Sequence, residues 1–380
     1  EVVYWNGMPI ERAVWNNAQR FAGSNREARH ARGVQTLTLR ALQVAPPPDE
    51  EWVVVGYRTT DGHLKDIHFH WQVNPPLPSA MSAAAEGGDE LATAAVLGLD
   101  LEQDIVRRMR IALFAPQVVK AREKAEDKTA RGAAFGALES KLPSVFGAKE
   151  ITTTSGKFGY LRIWTFGHPR TDEFVQEFVR LIGSLPQNGL VIDVRGNGGG
   201  VIMNGEYILQ TLTPRRIEPE PVQFVNTPLN LQICRFNGPT SRFTNLSAWV
   251  DSMEQALRTG SVFSAGFPIS SPDKANEIGQ KYFGPVVLIT DALCYSTTDL
   301  FAAGFQDHAV GKIIGINANN TGAGGANRGS ALQFPPNTSS RRVRASAALS
   351  AASRRLNTSV RTRARRDTAL AVPRPSGSTW

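Results

Sequence analysis

Two short apolar runs constrain this chain more than any other feature. Leu190-Val191-Ile192-Asp193-Val194 empties into Arg195-Gly196-Asn197-Gly198-Gly199-Gly200. Val286-Val287-Leu288-Ile289-Thr290 empties into Asp291-Ala292-Leu293-Cys294-Tyr295-Ser296. Runs this apolar and this short read as strands buried on both faces, which calls for helices on either side of a sheet. The flanking pattern supplies them. Thr171-Asp172 opens a helix with the apolar face Phe174, Phe178, Leu181, Ile182 and Leu185, stopped by Pro186. Val201–Leu212 and Thr297–Phe305 read as further helices, and Gly159–Phe166 and Lys312–Ile316 as further strands. Repeated strand–helix–strand units predict an α/β core over residues 151–326.

The rest of the chain has a different character. Residues 1–75 read as a β-rich module. A strand ends at the Asn6-Gly7 turn, helical stretches follow around Ile10–Phe21 and after Asn25, and Gln35–Val44 reads as a strand. Trp52–Tyr57 and Leu64–Val73 then form a hairpin around Asp61-Gly62. Because the chain opens in what looks like the middle of a strand, a further upstream segment is expected. Residues 76–150 read as a linker and helical arm. Residues 79–98 in it are rich in Ala, Gly and Ser, a helix is expected over Leu101–Ala115, and Lys120–Arg131 is a polar helix or a solvated arm.

Residues 327–380 follow neither period. They hold eleven arginines, no lysine and one acid, Asp367, a charge of +10. The whole chain is +8, so residues 1–326 are nearly neutral and offer no basic nucleic-acid surface. This segment reads as a disordered basic tail, as a basic arm for nucleic acid or a membrane surface, or as an aberrant, out-of-frame C-terminus. No run approaches 18 apolar residues, so no membrane span is expected. Two cysteines, Cys234 and Cys294, do not make a disulfide framework and do not fix the compartment.

Both strand-end turns suit anion stabilisation. Four glycines after a buried strand and before a helix leave backbone N–H groups free to face a ligand. The blander reading is a glycine turn with no ligand. A dinucleotide site fails because the third glycine would fall on Val201, and a phosphate loop fails because no Gly-Lys-Ser/Thr follows. Ser296 sits where the second strand turns into a helix. Alone it would read as a helix N-cap. Paired with the glycine turn it reads as a nucleophile whose alkoxide the helix dipole favours.

At this point the chain resembles a family. Gly159-Tyr160-Leu161-Arg162-Ile163, Asp193 through Gly200, and Tyr295-Ser296-Thr297-Thr298-Asp299, with Gly315 and Thr321-Gly322 behind them, look like the peptidase core of the tail-specific (C-terminal processing) serine proteases. This group includes the tricorn core and the interphotoreceptor retinoid-binding modules. The resemblance implies a Clp protease/crotonase-like peptidase core behind an N-terminal PDZ-like module. It makes Ser296 the nucleophile and gives the oxyanion hole to the backbone of Thr297 and Gly199, with Gly198, Gly200 and Asp299 in support. Asp299 would order the helix start. It implies a polypeptide substrate, no metal and no organic cofactor, and is compatible with a homo-oligomer. It also leans towards an extracytoplasmic or secreted location.

Two arrangements of the general base occur among the proteins this chain resembles. A Ser–Lys arrangement would need a lysine near Ala323, and Lys312 falls one strand too early. In the Ser–His–Glu branch the histidine precedes the PDZ-like module and the acid follows the third strand. Among the histidines present, His63, His68 and His70 read as hairpin surface residues, and His308 lies about three turns down the helix from Ser296. His168, after a core strand, is the local candidate. Two other readings keep the fold: an acyl-thioester enzyme of crotonase type, and a non-catalytic ligand- or peptide-binding module.

Overall fold

The structure is a computed structural model. It describes residues 1–20, 25–42, 46–74, 105–106, 109–110, 138–241, 245–316 and 370–375. The chain begins with a hairpin, β1 (Val2–Trp5) and β2 (Met8–Pro9), around Asn6-Gly7. Both turn residues are left-handed, with φ of 48° and 72°, as a two-residue hairpin of right-handed twist requires. Helices α1 (Ile10–Ala18) and α2 (Arg26–Leu37) follow. Asn25 caps α2 by accepting the amide of Ala28 at 2.8 Å. The helices meet at Gly33, where a Cβ would lie 2.6 Å from the carbonyl oxygen of Val14. Asn17 closes the contact by donating to the carbonyl of Gly33 at 2.8 Å.

Strands β3 (Arg40–Ala41), β4 (Trp52–Arg58) and β5 (Leu64–Asn74) complete the module. The expected hairpin around Asp61-Gly62 is present. The expected strand over Gln35–Val44 is not. Gln35–Leu37 finishes α2, Arg40–Ala41 alone is strand, and residues 43–45 lie outside the described residues. Helix wins because Ala28, Arg32, Gln35 and Thr36 are buried at helical spacing. The Thr36 hydroxyl is also satisfied within the helix, donating to the carbonyl of Arg32 at 2.7 Å. The residues expected to form the linker and Lys120–Arg131 lie outside the described residues. Ile105–Val106 and Met109–Arg110, inside the expected arm helix, are helical, and Val106 and Met109 pack with Leu39 and Ala41.

The sheet of this module has one member from far along the chain. Leu370–Pro375 runs antiparallel to β5, with Leu370 opposite Asn74 and Pro375 opposite Phe69, and pairs on its other side with β3. This corrects the expectation of no regular structure after residue 326 for these six residues. The remaining arginine-rich residues lie outside the described ones.

The second sheet carries the α/β core. Its strands are β6 (Phe146–Thr153), β7 (Gly156–Ile163), β8 (Leu190–Asp193), β11 (Val286–Thr290) and β12 (Lys312–Gly315), in the order β12-β11-β8-β7-β6. β7, β8, β11 and β12 are parallel, with Tyr160 opposite Val191 and Val287 opposite both Val191 and Lys312. β6 is antiparallel to β7, so the core sheet starts at Phe146, not at 151. β6 escapes a sequence reading because its outer half, Glu150–Thr153, is mostly exposed and polar. Helix α3 (Thr171–Ser184) covers the sheet, and Phe174, Phe178, Leu181 and Ile182 are fully buried beneath it. The ring of Phe174 lies 4.7 Å from that of Phe146 and 5.8 Å from that of Phe166.

The connection from β8 to β11 is long. It holds α4 (Ile202–Glu206), the two-residue strands β9 (Pro221–Val222) and β10 (Phe267–Pro268), and helices α5 (Pro228–Phe236), α6 (Val250–Thr259) and α7 (Pro272–Ala275). The helix expected over Val201–Leu212 is thus only five residues long, followed by a tight turn at Gln210–Leu212. A satellite core of Val222, Phe224, Leu231, Cys234 and Met253 surrounds Trp249. The Trp249 indole donates to the carbonyl of Val222 at 2.8 Å. Cys234 and Cys294 are both free and buried. Helix α8 (Thr297–Asp307) links β11 to β12. Among the described residues no helix is long and apolar enough to cross a membrane.

Phe178 has no exposed surface and packs against Phe146. Phe178→Ala is expected to cost about 3–5 kcal/mol, read as a lowered urea midpoint with an unchanged slope.

Candidate functional site

Strand β8 ends on an aspartate and β11 is followed at once by another, and each aspartate organises the turn beyond its strand. Asp193 is buried and accepts Arg195 through both carboxylate oxygens, with Arg195 Nη2 at 2.6 Å. Tyr160 Oη donates to it at 2.7 Å, and Arg162 Nη1 approaches at 3.3 Å. Arg162 also donates to the carbonyls of Asp193 and Arg195. Burial pushes the Asp193 carboxyl up, but Arg195 and Arg162 outweigh it and hold the group below the usual carboxylate range. The same burial, with the hydrogen bond to Asp193, pushes the Tyr160 phenol up to about 12. The network is a fixed ionic base beneath the glycine turn.

Asp291 reaches across to that turn. Its Oδ1 accepts the amide of Gly196 at 2.9 Å and that of Leu293 at 3.1 Å. Two further bonds fasten the loops together: Tyr295 N donates to the carbonyl of Asn197 at 3.1 Å, and Cys294 Sγ to that of Val194 at 3.2 Å. Burial, then Asp291, pushes the Cys294 thiol well above its ordinary range, so it stays protonated and does not compete as a nucleophile.

Ser296 stands at the junction of β11 and α8 with φ of 57° and ψ of −118°. A non-glycine residue held there stores roughly 1–3 kcal/mol of backbone strain and persists only where its surroundings over-determine it. Its hydroxyl does not cap α8 and makes no hydrogen bond among the described residues. The blander N-cap reading therefore fails. Gly199 lies directly against it: a Cβ on Gly199 would be 2.8 Å from the Ser296 Cβ and 2.9 Å from the Thr297 amide nitrogen. Gly200, with φ of +145°, has no room for a side chain either, since a Cβ would lie 2.2 Å from the backbone of Phe166 and Gly167. Thr297 Oγ1 donates to the carbonyl of Gly200 at 2.7 Å. The two turns expected to cooperate are thus in van der Waals contact.

The amides divide differently from expectation. The Gly199 amide is already engaged, donating to Asn197 Oδ1 at 2.9 Å. The amides of Gly198, Gly200 and Thr297 make no hydrogen bond among the described residues. Asp299 is buried in the first turn of α8, and its amide donates to the carbonyl of Ser296 at 2.9 Å. A carboxylate there suits the positive end of the helix.

No histidine hydrogen-bonds Ser296 among the described residues. His168 lies on the loop behind the glycine turn. Its carbonyl accepts Asn204 at 2.8 Å, and its buried Nε2 is 3.5 Å from Glu173 Oε2. His308 is engaged elsewhere: its Nε2 accepts the amide of Glu218 at 2.9 Å and its Nδ1 lies 2.8 Å from the carbonyl of Gly304. His63, His68 and His70 are exposed, as is Lys312. Among the described residues no cluster of His, Cys, Asp or Glu could hold a metal ion.

Sequence reasoning passed over four residues that the structure places around this site. Asn197 lay inside the glycine motif. Asp291 directly follows an apolar strand, much as Asp193 closes one. Arg32, whose guanidinium stacks 4.0 Å over the Tyr295 ring, gave no local signal. Nor did Glu206 on α4, whose neighbour Gly205 packs on Thr297.

Parallel strands delivering a strained serine and a glycine turn to one point define a hydrolase-type α/β site. The comparisons give it a family. The model of Peptidase family S41 matches residues 157–360, more than half of the chain and into the arginine-rich segment, and the chain belongs to that family. It is 34% identical over 86 residues to the tricorn protease of Thermoplasma volcanium, a stretch covering 20% of this chain and 8% of that protein. Among solved structures, mature CPAF is similar with a TM-score of 0.47 and 16% identity, covering 88% of this chain and 65% of that one. The photosystem II D1 C-terminal processing protease gives 0.26 and 12%, covering 82% and 50%. The chain spans under a tenth of the tricorn protease and just under two thirds of mature CPAF.

Glu206 yields a pH prediction. Burial pushes its carboxyl up to about 7, outweighing the amide of Glu220 that it accepts at 2.8 Å. The folded state therefore holds this proton longer than the unfolded chain. The associated stability is complete below an ordinary value of 4.5 and lost as pH rises to about 7. Glu206→Gln removes that loss. Urea midpoints should show the variant gaining roughly 3 kcal/mol over the wild type on going from pH 4 to pH 8, with parallel pH profiles as the contrary result.

Proposed function

We propose that this protein is a serine-type endopeptidase of the tail-specific kind, acting through an acyl-enzyme on Ser296. The observation that carries the reading is the strained, uncapped Ser296 seated on Gly199. In this reading the Ser296 Oγ attacks the scissile carbonyl carbon, and its proton passes through a general base to the departing amine. Water then hydrolyses the ester and restores the serine. The backbone of Thr297 and the Gly198–Gly200 turn hold the oxyanion. Gly199 gives its own amide to Asn197, which leaves Gly198 and Gly200 as the donors of that turn. Each such donor is worth roughly 10²–10³ in rate. Asp299 orders the start of the helix.

Family membership and the stretch shared with the tricorn protease support a polypeptide substrate. The sequence resemblance supports a Clp protease/crotonase-like core, a PDZ-like role for residues 1–75 and a homo-oligomeric state. In the Ser–His–Glu branch that the sequence resembles, the histidine precedes the PDZ-like module and the acid follows the third strand. His168, paired with Glu173, is the histidine of this chain to test as the base.

Intact-mass spectrometry after treatment with a fluorophosphonate should show one adduct, absent in Ser296→Ala. His168→Ala should slow labelling if His168 is the base. A folded chain that takes no label would instead point to a non-catalytic binding module on the same fold.

A further inference from the structure

We propose that Arg32, on the N-terminal module, is a positioning residue for Ser296, acting through the ring of Tyr295. The inference rests on the reading of Ser296 as the nucleophile and adds a requirement from outside the peptidase core. Arg32 is 5% exposed and Tyr295 6%, and the guanidinium carbon lies 4.0 Å from the ring centroid. A cation stacked on an aromatic face in so dry a place is held strongly. The helix around Arg32 is itself rigid: Asn17 on α1 ties to Gly33 and Thr36, and Thr36 bonds back to Arg32.

Tyr295 is the residue before Ser296. Its amide is anchored on Asn197, its carbonyl accepts Thr298 at 3.1 Å, and its carbonyl oxygen crowds Gly199. The core thus fixes the backbone of Tyr295 on both sides. The stacked arginine fixes its side chain from the other module. A strained φ of 57° at Ser296 needs its neighbours pinned, since the strain relaxes into any slack they leave. With Arg32 removed, the ring would be free to turn and the loop to relax.

Three variants of this 380-residue chain test this: Arg32→Met, which keeps the stem and loses the charge; Arg32→Lys, which keeps the charge and loses the planar stack; and Tyr295→Leu. Each is measured for amide hydrogen exchange over residues 292–300, for the second-order rate of fluorophosphonate labelling, and for the urea midpoint. Arg32→Met should exchange faster at residues 294–298 and label about tenfold more slowly, the effect of roughly 1.4 kcal/mol on the barrier. Arg32→Lys should fall between. In a Tyr295→Leu background Arg32→Met should have no further effect on either readout. Unchanged exchange at 294–298 in Arg32→Met overturns the proposal. So does unchanged labelling in a chain that labels. If the wild type takes no label, the peptidase reading fails and exchange alone decides the positioning role. A lower urea midpoint with both readouts unchanged makes Arg32 a stabilising contact only, and also overturns the proposal.

Discussion

The contact between Gly199 and Ser296 depends on two turns being held at one depth, and two aspartates, one at the end of β8 and one just past the end of β11, do the holding. Asp193 fixes the glycine turn from below through Arg162 and Arg195, and Asp291 crosses from the neighbouring strand to the amide of Gly196. Because β8 and β11 are parallel and in register, Ile289 opposite Asp193, both turns emerge from the same edge of the sheet. A sheet with these strands antiparallel would send them to opposite edges. The chemistry thus depends on topology first and on side chains second.

Much of this arrangement was legible in the sequence. The parallel strands announce themselves because burial on both faces demands continuous apolar runs, and α3 because its apolar face repeats at helical spacing. Ser296 was legible only through its partner turn, since a lone serine before a helix carries no more than a cap signal. Other parts were hidden for physical reasons. β6 is an edge strand with a solvated half, so its pattern is mixed. The segment from β9 to β10 builds its small core around Trp249 from pieces too short to show a period. Gln35–Leu37 alternates like a strand, but its hydrogen bonds are already taken within α2.

Long-range contacts were the least visible. Arg32 and Tyr295 are far apart in sequence, and although Tyr295 stands in the motif around Ser296, nothing local points to Arg32 as its partner. The engagement of the Gly199 amide by Asn197 is a two-residue bond, yet it reverses which glycine has a free donor. Local motif reading locates such a turn without saying which of its N–H groups are spoken for. Glu206 is similar: its raised proton affinity comes from burial under a segment that the sequence left uninterpreted.

The strand Leu370–Pro375 has a consequence for synthesis. It stands between β5 and β3 and joins two strands that do not otherwise pair. Its partners are made early and it is made late. At about 5–20 residues per second, the interval between them is roughly 15–60 s on the ribosome. Throughout that time the nascent module presents an open strand edge while the peptidase core is still being translated. Pro373 and Pro375 fall at alternate positions of the strand. Proline has no N–H to donate, so neither position can give a ladder hydrogen bond to a neighbouring strand. The strand that closes the gap between β5 and β3 is therefore also one with few donors left over for another chain.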